Sequence, residues 1–167
     1  MATPTTLPAA FVAGAILTAD QQNNLRGAFR VLQVLTTGSV ATNTVSATNT
    51  FVDATGISLS ITPSSATNKV FVIVQSNYFN SGGSSQNGMD VQLLRGASVI
   101  SSPHTRLGFS NTALVQSGDF AVFYLDSPAT TSATTYKIQF RNQLAANNVQ
   151  INAASATSTM MLMEISA

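Results

Sequence analysis

Residues 134–142 read TTYKIQFRN, and this stretch decides the fold. Tyr136, Ile138 and Phe140 alternate with Lys137, Gln139 and Arg141. A period of two gives an extended strand one apolar and one polar face. The spacing predicts a strand with the first trio inward. The second trio faces either water or another chain.

The same signal recurs on both sides of this stretch. Ile57, Leu59 and Ile61 alternate with Ser58, Ser60 and Thr62, following a short strand and a Thr55-Gly56 turn. KVFVIVQSNYF, 69–79, is apolar on both faces and reads as a central strand buried on two sides. DVQLLRGASVISS, 90–102, reads as two short strands turning at Arg95-Gly96-Ala97, and a loop with Pro103 and His104 follows. GDFAVFYLD, NVQINAA and TSTMMLMEISA complete the series, with RVLQVLTT opening it. Roughly eight to ten strands separated by turn signals predict an all-β, antiparallel fold, a β-sandwich or jelly roll. No crossover helices punctuate the strands, which excludes a parallel α/β sheet.

The N-terminal region has a different pattern. Pro4, Pro8 and Gly14 predict an extended arm. Thr18, with Gln21 at the capping-box position, predicts a short helix over ADQQNNLRGAF, 19–29. The expected division is an anchoring arm and helix over 1–35 and a β-sandwich head over 36–167. No positive charge precedes the apolar patch of the N-terminus, and the first is Arg26, so no signal peptide is expected.

Composition narrows the function. The chain has 167 residues, seven basic and six acidic side chains, one histidine and no cysteine or tryptophan. Charged residues are 8% of the chain, against about a quarter in ordinary globular proteins. A net charge of +1 lacks the basic stripe of a nucleic-acid binder. No run reaches the ~20 apolar residues of a spanning helix, so membrane insertion is not expected. Ser, Thr, Asn and Gln replace the missing charge. That composition suits a β-rich chain whose surface is covered by copies of itself or by other proteins.

Chemistry-bearing residues are sparse. His104 lies in SSPHTRLG with no second ligand at metal spacing. Asp20, Asp53, Asp90, Asp119, Asp126 and Glu164 are scattered and form no calcium-loop pattern. NSGGSSQNG, 80–88, lacks the Gly-Lys-Ser/Thr ending of a phosphate loop. No catalytic, cofactor-binding or metal site is expected, and no cofactor.

The terminal strand TMMLMEIS, 159–166, is apolar on both faces: Met160 and Leu162 with Glu164 on one, Met161, Met163 and Ile165 on the other. Phe120, Val122 and Tyr124 likewise oppose Ala121, Phe123 and Leu125. A sandwich hides one face of each sheet, so a second apolar face predicts an interface. The candidate set is Met160, Leu162 and Glu164, with Glu164 pairing with Lys137 or Arg141 within or between chains.

FVAGAILTADQQNNLRGAF, 11–29, resembles a segment near the start of tailed-bacteriophage virion proteins. FVDATGISLSITPSSATNKVFVIV, QLLRGASVI, FYLDSPATTSATTYKIQFRN and STMMLMEISA look like the small β-sandwich heads of phage fibre and decoration proteins. The resemblance implies a non-enzymatic virion structural protein at the particle surface, a homotrimer with a jelly-roll-like β-sandwich head. Its partner would be a major capsid protein or a tail or fibre protein. Phe11, Ile16, Leu17 and Leu25 would anchor the arm. The head would either decorate and cement a capsid or, on a fibre, present loops 80–88 and 103–112 to a host protein or surface glycan.

Overall fold

The computed structural model describes residues 30–40, 44–81, 87–110, 112–143 and 148–166, besides the isolated Gly14. Within them the chain is all β, without an α-helix. The strands are β1 (Val31–Thr36), β2 (Thr44–Ser46), β3 (Val52–Ile61), β4 (Lys69–Asn80), β5 (Asn87–Arg95), β6 (Ser98–Ser110), β7 (Gln116–Asp126), β8 (Thr134–Asn142), β9 (Val149–Ile151) and β10 (Thr159–Ile165). A 3-10 turn, Ala153–Ser155, separates the last two. The arm, the 19–29 helix and the anchors Phe11, Ile16, Leu17 and Leu25 lie outside the described residues.

Two antiparallel sheets form a sandwich-like body. One has the order β1-β10-β4-β9-β2 with β7 on β4, and the other β3-β8-β5-β6. β10 pairs with Lys69–Gln75 of β4, and β9 continues along the same edge at Phe79 and Asn80. β1 and β2 run end to end beside β10 and β9, bridged at Val40–Ser158. The first sheet therefore has four strand positions, like the second. The pairing is nested: β1 with β10, β3 with β8, β4 with β7, β5 with β6. The chain folds as one long hairpin rolled into two layers.

The core follows the sequence periodicity. Tyr136, Ile138 and Phe140 are fully buried and meet Ile57, Val72, Val122 and Leu162. β8 alternates buried and half-buried along its length, as the TTYKIQFRN pattern predicts.

Three local expectations change. Thr55-Gly56 is not a turn between strands: β3 runs through it with a register shift between Asp53 and Ser58, and Gly56 takes φ 84°. Left-handed backbone favours glycine, so the bend is a bulge. Pro103 and His104 lie inside β6, not in a loop. β6 is an edge strand, where proline's missing N–H leaves no ladder bond unmade. β4 is central in hydrogen bonding, but only Val70, Val72, Val74, Ser76 and Asn80 are buried; Phe71 and Ile73, on its other face, are half-buried.

Candidate interaction surface

The outer face of the β3-β8-β5-β6 sheet is mostly polar and tied together by its own ion pairs, with exposed Val99 beside Leu94 at one end. Lys137 Nζ lies 2.9 Å from Asp53 Oδ1, and Gln139 donates to the same oxygen at 2.7 Å. The Lys137 hydrogen bond holds the Asp53 carboxyl below its ordinary range. Gln92 donates to Gln139 Oε1 at 2.7 Å. Arg141 Nε is 3.0 Å from Asp90 Oδ2, and its guanidinium stacks 4.7 Å from the Phe51 ring centroid. The two basic residues of TTYKIQFRN thus neutralise acids of their own chain.

Glu164 pairs with neither. Its Oε1 accepts from Ser64 N (2.7 Å), Ser64 Oγ (2.8 Å) and Asn68 Nδ2 (2.6 Å), and its Oε2 from Gln33 Nε2 (2.6 Å). Burial alone would raise its pKa, but the donors of Asn68, Gln33 and Ser64 outweigh it and hold the carboxyl at about 2. Met160 and Leu162 on the same face are fully buried in the chain's own core. These three side chains are therefore occupied within one chain. The reason is parity: the inward face of a terminal strand that sits between β1 and β4 is core, and the uncovered residues are its odd-numbered ones.

Asp126, Tyr136 and His104 are likewise committed. Asp126 accepts from Tyr136 Oη at 2.6 Å and pairs with Arg95 at 2.9 Å. Burial, with that hydrogen bond, pushes the Tyr136 hydroxyl well above its usual range. His104 Nε2 bonds the Ala121 carbonyl at 2.9 Å and meets Phe120 edge-on. An open recess of about 470 Å³ beside Asn77, Ser117 and the Ala153–Ala156 loop has small, neutral walls apart from Tyr78 and Phe79.

The outer face of the other sheet is different. Cross-strand pairing builds the row Val34–Met163–Phe71–Leu125 and, beside it, Thr36–Met161–Ile73–Phe123. Phe123 is 66% exposed, Leu125 52% and Val34 50%; Phe71, Ile73, Met161 and Met163 are half-buried. Neither row carries a charge. Lys69, which donates to Ser127 Oγ at 2.9 Å, stands at one end of the face and exposed Asp119 at the other. Asp119 is the acid without a side-chain partner among the described residues. The sequence signal for this face was its apolar odd positions in β4, β7 and β10. Val34 joins them through a register that sequence does not give.

No protein-family model matches this chain, and no curated protein matches it.

Proposed function

We propose that this chain is a non-enzymatic structural protein of a tailed-bacteriophage particle, exposed on the virion surface, whose head works as an assembly of identical copies. The observation that carries the reading is the disparity between the two outer faces. One is tied together by its own ion pairs; the other is a chargeless apolar face on a chain with 8% charged residues. A protein built to stay single in solution avoids large apolar patches. The sequence resemblance to phage decoration and fibre heads supplies the virion setting. It also supplies the arm, with Phe11, Ile16, Leu17 and Leu25 seated on a capsid or tail protein; the homotrimer it implies is the alternative to the two-fold assembly argued below.

The finer fold is read as a jelly roll. What supports it is the nested pairing over eight strand positions, four in each sheet. Fold by itself carries no activity. The favoured role is capsid decoration and cementing. The second role, a fibre head that binds a host protein or glycan, draws on loop recognition from a rigid sandwich.

The test is the protein content of purified particles. Decoration predicts hundreds of copies per virion, and a fibre a few dozen or fewer. Deleting residues 1–20 leaves a folded assembly that no longer binds particles. Absence from purified virions refutes the reading altogether.

A further inference from the structure

We infer that the apolar face of the β1-β10-β4-β7 layer is the contact between two copies of this chain, packed sheet on sheet about a two-fold axis. The inference rests on the self-assembly reading and makes it specific.

Three features of the face select a second copy. The first is size. Val34, Phe71, Ile73, Phe123, Leu125, Met161 and Met163 leave roughly 500 Å² of apolar side chain uncovered, at the upper end of what monomers show. With flanking Thr36, Gln75, Ala121 and Thr159 the face nears the ~800 Å² per partner of a standard interface. The second is continuity. The four strands pair without interruption across both rows, and one sheet face packs on another about 10 Å away. A three-fold ring needs two different patches on each copy, and this is a single patch.

The third is the placement of charge and bulk. Lys69 and Asn77 lie four residues on either side of Ile73 in β4, about 14 Å each way. An in-plane two-fold axis across the strands at the Ile73–Phe123 row brings Lys69 to the level of Asn77 and Asp119 of the second copy. Asp119 is one strand aside, within reach of a lysine. The same operation sets Leu125 over Ala121 of the second copy, a large residue over a small one, and Phe71 over Gln75. Phe123 meets Phe123 at the axis. A two-fold contact uses each of these pairs twice. The unpartnered Asp119 and the hydroxyl-bound Lys69 thereby acquire partners.

The experiment is sedimentation equilibrium of the full chain at micromolar concentration. The expected mass is that of a dimer. Phe123→Asp with Leu125→Asp yields a monomer with unchanged circular dichroism, because both side chains are solvent-exposed in the single chain. Lys69→Asp raises Kd about fivefold, and adding Asp119→Lys restores it. Persistence of the dimer in the Phe123/Leu125 variant overturns this face. A trimer overturns the two-fold contact and leaves the assembly reading standing. A monomeric wild type overturns both.

Discussion

Replacing Glu164 with glutamine tests what fastens the C-terminal strand. The carboxylate joins β10 to β1 through Gln33 and to the 62–68 turn through Ser64 and Asn68. Glutamine retains one carbonyl for the three donors at Oε1, making those bonds neutral. Its N–H₂ then faces the Gln33 amide. Turning Gln33 over resolves that clash but gives up its 2.9 Å bond to the Thr62 carbonyl. Charge-assisted bonds exceed neutral ones by about 1 kcal/mol each, so Glu164→Gln costs about 3 kcal/mol at pH 7. Linkage gives an independent figure. A fall from the ordinary 4.5 to about 2 in the folded chain corresponds to about 3 kcal/mol. The folded pKa is depressed, so this stabilisation is complete above pH 4.5. It is lost as pH falls through about 2. Urea unfolding of both proteins from pH 7 to pH 2, at one protein concentration, measures the gap. The gap narrows only below pH 4.5. A cost under about 1 kcal/mol at pH 7, or a gap as wide at pH 2 as at pH 7, refutes the argument.

Tyr136→Phe removes the buried donor to Asp126, which keeps Arg95, and lowers stability by about 1–2 kcal/mol in the same assay. Gly108→Ala places a Cβ 2.6 Å from the Tyr78 ring at φ 62° and lowers the melting temperature. Gly96→Ala, at φ 59° with open space around it, costs less, about 1 kcal/mol. Lys137→Ala changes stability by under about 1 kcal/mol, and added salt erases the difference, because Asp53 is 57% exposed.

Fold class was legible because alternation is a local property. TTYKIQFRN and the 57–61 run each gave their inward residues directly. Boundaries in β6 were not legible. Pro103 signals a break in isolation, yet an edge position tolerates it, and edge position is set by pairing far along the chain. The inward placement of Met160, Leu162 and Glu164 was hidden for the same reason. Both faces of TMMLMEIS are apolar, so sequence offers no parity. Only the neighbours β1 and β4 decide that Met160 and Leu162 are core and that Met161 and Met163 are not. Glu164 read as a charge in search of a cation. Its real partners, Gln33, Ser64 and Asn68, are neutral and lie about a hundred residues or more away.

The way the open edges are guarded argues that association proceeds through the face. Sheet edges invite pairing unless they are blunted. β6 shifts register against β5 four times and carries Pro103 and a left-handed Arg106 at φ 60°. β3 and β1 each contain a register shift. β7 is regular along its whole pairing with β4 and is the edge most ready to template another strand. There His104 donates its Nε2 proton to the Ala121 carbonyl, occupying an acceptor that a foreign strand would need. The only histidine thus has a structural task, to close an edge. Edge-to-edge growth gives open, unbounded ribbons, whereas a two-fold face contact ends with two copies. A chain with guarded edges and one unguarded apolar face is built for the bounded outcome. The Phe123/Leu125 variant separates the two, since edge-driven association survives it.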